Sequence, residues 1–274
     1  MKIRNGCILV AVIFVSVLLL PVPTQTIQNK YSICLLKEGL EHAYNGEFDA
    51  SDKYFDDFTK LEPNSPIGYW RKANNRLARI RSDEGAKYEP TITEEKYDEI
   101  AAIIDTGIEK AKLKIAHNED VGFNNYVIAS SLGLKAAFQK GAGMSKLTYV
   151  PTGQEMMKYA RRSDYPDAKF LVALTNLKLD EQPFYIKWAL KGLGQYIPPR
   201  KESLRMMRQA AENNDGFFVD DIWLVLFVET KDKSSSEAEK LETEKLYEYL
   251  TKYPKNEAVL KYAKKHGKPI PPEK

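Results

Sequence analysis

Cysteine is nearly absent: Cys7 and Cys34 are the only two in 274 residues. A disulfide framework and a thiolate zinc cluster are both excluded by that count. Histidine is as sparse. His42, His117 and His266 lie far apart, and none forms a paired metal motif. An excess of either charge is missing too: 41 basic side chains face 38 acidic ones, a net +3. Such a balance argues against a nucleic-acid partner, because polyanion binding shows as a strong basic surplus. Period-two alternation between turn signals, the mark of paired strands, is not found after residue 30. The glycine pairs Gly141/Gly143 and Gly192/Gly194 follow no strand and carry no phosphate-loop lysine, and Ser130 and Ser203 lack the glycines of a nucleophile elbow. Acidic neighbours such as Asp56-Asp57, Glu94-Glu95 and Asp220-Asp221 point about 100° apart on a helix, so they suit solvated faces and helix starts better than acid–base work. No catalytic, metal-binding or cofactor-binding residue is assigned, and the chain is not expected to be an enzyme.

The first residues carry the sharpest signal. Lys2 and Arg4 precede an apolar run from Ile8 to Leu20, broken only by Ser16 and followed by Pro21 and Pro23. A basic start, a short apolar core and a helix-breaking exit describe a secretory signal peptide, and Thr24-Gln25-Thr26 places small residues at cleavage spacing. Residues 1–26 are therefore read as a signal peptide or, if retained, as an N-terminal anchor through residues 8–20, and the location as extracytoplasmic, periplasmic or secreted. Cleavage would remove Lys2 and Arg4, leaving 39 basic side chains of the 41 against 38 acidic ones, and would leave Cys34 alone. Cys34 sits among Ile33, Leu35 and Leu36, a setting for a buried, inert thiol.

What the sequence has in abundance is helical periodicity. Spacing and caps predict helices over 28–44, 49–61, from 66 onward, 93–116, 123–140, 153–162, 166–179, 184–193, 200–213, 217–229, 236–252 and 256–264. A polar stretch, 82–93, reads as a loop. The basic, proline-rich tail 266–274 reads as disordered. Helix pairs of this length cannot bury their own apolar faces, so the expected product is an all-α stack spanning 27–265.

The stretch NGEFDASDKYFDDFTKLEPNSP, residues 45–66, gives the stack a unit. With Pro63 as the closing proline of a 34-residue helix-turn-helix, Ser32 opens the unit. Leu35 then takes the first large apolar position, Gly39 the close-approach position, Ser51 the second small contact and Phe55 the packing aromatic. Gly46-Glu47-Phe48 forms the turn, whereas His42 and Phe58 depart from the usual residue types. The chain resembles the tetratricopeptide repeat (TPR) family on these positions. Tyr69 and Ala73 open a second unit, Gly133 marks a later close approach, and KLYEYLTKYPKNEAVLKYAKKHG is similar to a final repeat helix, turn and capping helix. The segment FYIKWALKGLGQYIPPRKESLRMMRQAAENN, after Asp167-Ala168-Lys169, resembles exported bacterial repeat proteins similar to the periplasmic T-component of tripartite (TRAP-type) transporters.

The resemblance implies a right-handed α-solenoid of antiparallel helix pairs that holds a protein or peptide in its concave groove. Leu36, Leu40, Ala43 and Tyr44 of the first unit, and Trp70, Asn74 and Leu77 of the second, would face inward. Trp70 with Arg71, and Arg76, Arg79 and Arg81 nearby, offer aromatic and guanidinium anchors, against packing of Trp70 between repeats. Asn74 matches one residue of a carboxylate clamp, but Trp70 stands where the clamp keeps a lysine. Lys201, Arg205 and Arg208 share a helix face, best read as solvated. The PFYIKWALKGL segment around Trp188 is apolar almost all round; core packing is its default, with closure of a ligand pocket or contact with a membrane as alternatives. A small hydrophobic ligand near Trp188, in an accessory protein of a transport system, is the competing functional reading.

Overall fold

The computed structural model describes residues 24–83, 91–180, 197–212 and 236–272, together with residues 184, 187, 188, 191, 220, 222, 223, 225 and 226. Every regular element among them is helical. In chain order these are α1 (Thr24–Tyr44), α2 (Phe48–Leu61), α3 (Pro66–Asp83), α4 (Glu94–Ala116), α5 (Val121–Gly141), α6 (Lys146–Arg162), α7 (Pro166–Asp180), α8 (Arg200–Glu212), α9 (Ser236–Lys252) and α10 (Glu257–Lys265). Residues 1–23, which hold the apolar run of the expected leader, and most of the segments foreseen as helices over 184–193 and 217–229, lie outside the described residues. No described helix is long and apolar enough to cross a membrane.

Local chemistry fixes the helix ends. Thr93 caps α4, its hydroxyl accepting from the Lys96 amide at 3.3 Å. At the end of α1 the Glu47 amide reaches back to His42 O (2.9 Å) and the Gly46 amide to Ala43 O (3.0 Å). This is a Schellman stop, and it needs the left-handed backbone that Gly46 adopts at φ 77°. Asn118, Gly143 and Gly267 close α4, α5 and α10 with the same bond pattern. The turns after α2 and α9 also match each other. Glu62 N bonds to Phe58 O (2.8 Å) and Ser65 N to Glu62 O (3.0 Å), while Tyr253 N bonds to Tyr249 O (2.8 Å) and Asn256 N to Tyr253 O (3.3 Å). Pro63 and Pro254 occupy the same place in the two turns.

Each helix from α1 to α8 that follows another through a short turn packs against it, and the odd-numbered helices also touch in series, α1 with α3, α3 with α5, α5 with α7. Small residues set the spacing. A methyl group added at Gly39 would lie 2.5 Å from the Phe55 ring, and one at Gly68 would lie 2.7 Å from Thr59 Oγ1. Ser51, fully buried, donates its hydroxyl to Gly39 O at 2.8 Å and locks α2 against α1. A methyl group at Gly107 would lie 3.0 Å from Tyr69 Cβ, and one at Gly133 would lie 3.1 Å from the Met156 sulfur.

Two apolar cores result. One lies among α3, α4, α5 and α6 and holds Ile100, Ile104, Ile128 and Phe138. The other gathers Leu36, Leu40 and Tyr44 from α1 and Trp70 from α3 with Leu177, Met207, Trp223, Tyr249 and Ala263 from the later helices. Helix α5 stands between the two: residues 124–132 are buried on every side. The first and last parts of the chain are thereby joined, and polar bonds pin them. Asn256 Nδ2 donates to Tyr44 O (2.7 Å), the Lys255 amide to Asn45 Oδ1 (3.3 Å) and Lys255 Nζ to Glu47 Oε1 (2.6 Å).

Several local expectations change. Helix α6 starts at Lys146, seven residues before the foreseen Gly153, and carries Pro151 inside it. The amide lost at Pro151 orphans only Leu147 O, which lies in the solvated first turn. Cys34 is exposed, not buried. The buried stripe of α1 runs through Ser32, Leu35, Leu36, Gly39 and Leu40, so Tyr31, Ile33 and Cys34 fall on the outer side. Residues 266–272, foreseen as a disordered tail, turn back at Gly267. Lys268 Nζ donates to Thr243 Oγ1 (3.1 Å), and Ile270 rests against the N- and C-terminal core.

Candidate functional site

The inner-face residues foreseen as groove anchors occupy the core. Trp70 is 5% exposed, Tyr44 and Leu77 are equally buried, and Asn74 is half-buried. Trp70 packs edge-on to Tyr126, with centroids 5.4 Å apart, and Tyr126 continues to Tyr165 at 5.0 Å. Arg71, 1% exposed, carries its guanidinium carbon 4.1 Å from the centre of the Trp70 ring. Tyr44 meets Tyr253 at 4.9 Å and Tyr249 at 6.3 Å. Aromatic rings that would have lined an open wall are thus covered by the chain itself, Tyr44 by α9 and the turn after it and Trp70 by α5, which removes more apolar surface from water than an empty groove would.

The other arginines of α3 hold α2. Arg79 bridges Asp49 (2.7 Å) and Asp52 (3.2 Å), and Arg76 lies 3.5 Å from Asp52. Asn75, which periodicity did not single out, donates to Phe48 O (3.0 Å) and Asp52 Oδ1 (2.6 Å). Of the three cations expected on one solvated face, Lys201 and Arg205 are exposed and Arg208 is half-buried. His42 stacks on Tyr54, with centroids 5.2 Å apart, and its Nδ1 lies 2.6 Å from Glu47 Oε2. The Lys255 ammonium, and next the His42 ring, hold the Glu47 carboxyl below its ordinary value. Among the described residues no group of histidine, cysteine and carboxylate side chains is placed to hold a metal.

A concave feature lies elsewhere. Between α8 and α9 a cleft of about 470 Å³ opens beside Trp223 and Tyr249, whose rings reach it from the core, with Ala211 at its side. Its rim is charged: Glu212 comes from α8, Asp220 from the residues between, and Lys245, Glu248 and Lys252 from α9. The rim is internally ordered. Asp220 accepts from Lys252 (2.5 Å) and from the Tyr253 hydroxyl (2.7 Å), and Lys245 pairs with Glu248 at 2.6 Å. An aromatic floor under alternating charges offers an apolar seat plus orienting contacts. The sequence reading missed this site because Asp220 looked like a helix-start acid; only the fold brings it to Lys252, 32 residues away.

The segment around Trp188 also departs from its default. Phe184 and Trp188 are both exposed, with Lys191 exposed beside them and Lys187 half-buried. Trp188 is not brought near Tyr44, Trp70, Arg71 or Leu77 in either core. No family model matches the chain, and neither a curated protein nor a solved structure matches it.

Proposed function

We propose that the chain is a non-catalytic, exported binding scaffold: a TPR-like right-handed solenoid of antiparallel helix pairs that holds a segment of a protein or peptide. The Gly39–Ser51–Phe55 contact, the serial touching of odd helices and the two matched proline turns support the repeat reading. The seat is the α8–α9 cleft, since the face formed by Tyr44, Trp70 and Leu77 is filled by the chain itself. The cleft carries the assignment, because it joins buried aromatic rings to a rim of both charges on rigid helices. An apolar side chain of the guest would rest beside Trp223 and Tyr249, and flanking charges would pair with Lys245, Lys252, Glu212 and Glu248.

A photo-crosslinking amino acid at exposed Lys252 tests this, with one at Lys112, on the exposed side of α4, as the control. A discrete protein adduct at 252 and none at 112 is expected. It should be lost when Lys245 and Glu248 are exchanged (K245E/E248K), which keeps their ion pair and inverts the rim. Equal adducts at both positions, or an adduct indifferent to the exchange, would refute the seat. One observation favours the small-ligand alternative: about 470 Å³ lies within the range of roughly 300–1,000 Å³ typical of solute pockets. A solute would protect Lys245 and Lys252 from amine reagents with no protein adduct forming.

A further inference from the structure

The three most exposed large apolar side chains among the described residues are Leu147 (88%), Phe184 (81%) and Trp188 (78%). Topology brings them to one end of one hairpin. Helix α7 folds back on α6 through the short turn 163–165 and packs against it, so the start of α6, where Leu147 and exposed Val150 lie, and the end of α7 point the same way. Phe184 and Trp188 follow that end within eight residues of Asp180. Phe184 and Trp188 are helical residues four apart, and Leu147 and Val150 three apart, so each pair shares a face.

Lysine predominates among the charges around them. Lys146 and Lys191 are exposed, and Lys187 donates to Asp180 O (3.0 Å) with Asp180 Oδ1 at 3.5 Å. Residues 146–150 and 178–191 contain four lysines, no arginine and two acids, Asp180 and Glu181. Protein–protein interfaces are depleted in lysine and enriched in arginine. Aromatic rings flanked by lysines, whose long stems let the ammonium reach headgroups, are the composition of a lipid interface.

We infer that this end of the α6–α7 hairpin rests on an anionic phospholipid surface, with Phe184, Trp188 and Leu147 entering the headgroup layer and Lys146 and Lys191 pairing with lipid phosphates. The α8–α9 cleft plays no part, so the two readings stand or fall separately. The expected leader or anchor at residues 8–20 is a separate attachment, and the test must read residue 188 itself.

Trp188 allows that in the full chain, because Trp70 and Trp223, the other two tryptophans, are buried. Vesicles of phosphatidylcholine with phosphatidylglycerol should blue-shift the emission, and brominated acyl chains should quench it. Both effects should vanish in Trp188→Phe. K146E/K191E should weaken the quenching at least ten-fold in lipid concentration, since each lysine near an anionic surface is worth about five-fold. Equal quenching by pure phosphatidylcholine, or Trp188 still fully open to acrylamide in the presence of anionic vesicles, would overturn the proposal. So would a blue shift that grows with protein concentration in the absence of lipid, which would assign the patch to a second copy of the chain.

Discussion

Replacing Gly39 by alanine should weaken this protein, although the same change inside an ordinary helix strengthens it. Alanine in place of mid-helix glycine gains about 0.5–1 kcal/mol from lost unfolded-state freedom and better propensity. At position 39 the new methyl would lie 2.5 Å from Cε1 and 2.7 Å from Cδ1 of Phe55, well inside contact distance. Phe55 is 1% exposed, so its ring has nowhere open to go, and α1 must move off α2. Overpacking of this kind costs about 1–3 kcal/mol, and with the gain deducted the net loss should be about 1 kcal/mol, within a range of about 0–2.5. Separation of the helices would also strain the Ser51 hydroxyl bond to Gly39 O. Gly153 in α6 is the internal control: nothing lies within 4 Å of its added methyl, so Gly153→Ala should stabilise by about 0.5–1 kcal/mol. Urea unfolding of the two variants and the parent gives the order directly. A Gly39→Ala chain stabilised as much as Gly153→Ala would refute the close approach of α1 and α2, and with it the assignment of the 32–65 unit. Phe55→Leu in the Gly39→Ala background should recover part of the loss.

The bond between the first and last turns is acid-sensitive. The Glu47 carboxyl is held below its ordinary value of 4.5 chiefly by Lys255 and then by His42, so its stabilisation is full above that pH and fades as pH falls through the lower folded value. Glu47 is part-exposed, so the effect should stay within about 1 kcal/mol. Below pH 4.5, proteolysis at the 253–256 turn should therefore accelerate in the parent but not in Glu47→Gln, already loosened at neutral pH. Parallel acid responses in the two chains would refute the clasp. Exposed Cys34 should react with a thiol reagent in the folded Cys7→Ser chain as fast as in urea, and strong protection would place it back in the core.

Local signals were read well where a short-range rule decides. Thr93, Gly46 and Asn256 mark helix ends by bonds to residues three away, Pro63 marks one by lacking an amide hydrogen, and the structure puts the ends there. Gly39, Ser51 and Phe55 were legible as contacts because one repeat unit places them within 16 residues. Periodicity marks an apolar stripe but not its full coverage. Cys34 and Tyr31 border the stripe of α1 and fall outside it, Tyr44 and Trp70 fall inside a core that the C-terminal helices complete, and Leu77 falls inside the core among α3, α4, α5 and α6. Closure depends on contacts more than 200 residues apart, between Tyr44 and Asn256 and between Glu47 and Lys255, which no window of sequence contains. The same holds for the cleft: Trp223, Asp220 and Lys252 each look ordinary in place, and only the fold makes them neighbours.

The tie between the two ends of the stack tests the account most directly. Packed helices sit about 8–10 Å apart, so an open array of five hairpins would separate its first and last by roughly 40 Å. Spin labels at Glu41 and Lys255, in a chain with Cys7 and Cys34 replaced, should instead report one narrow distance population near or below about half that span. A broad distribution centred at the open-array distance would contradict the closed scaffold, and would return Tyr44 to an open groove.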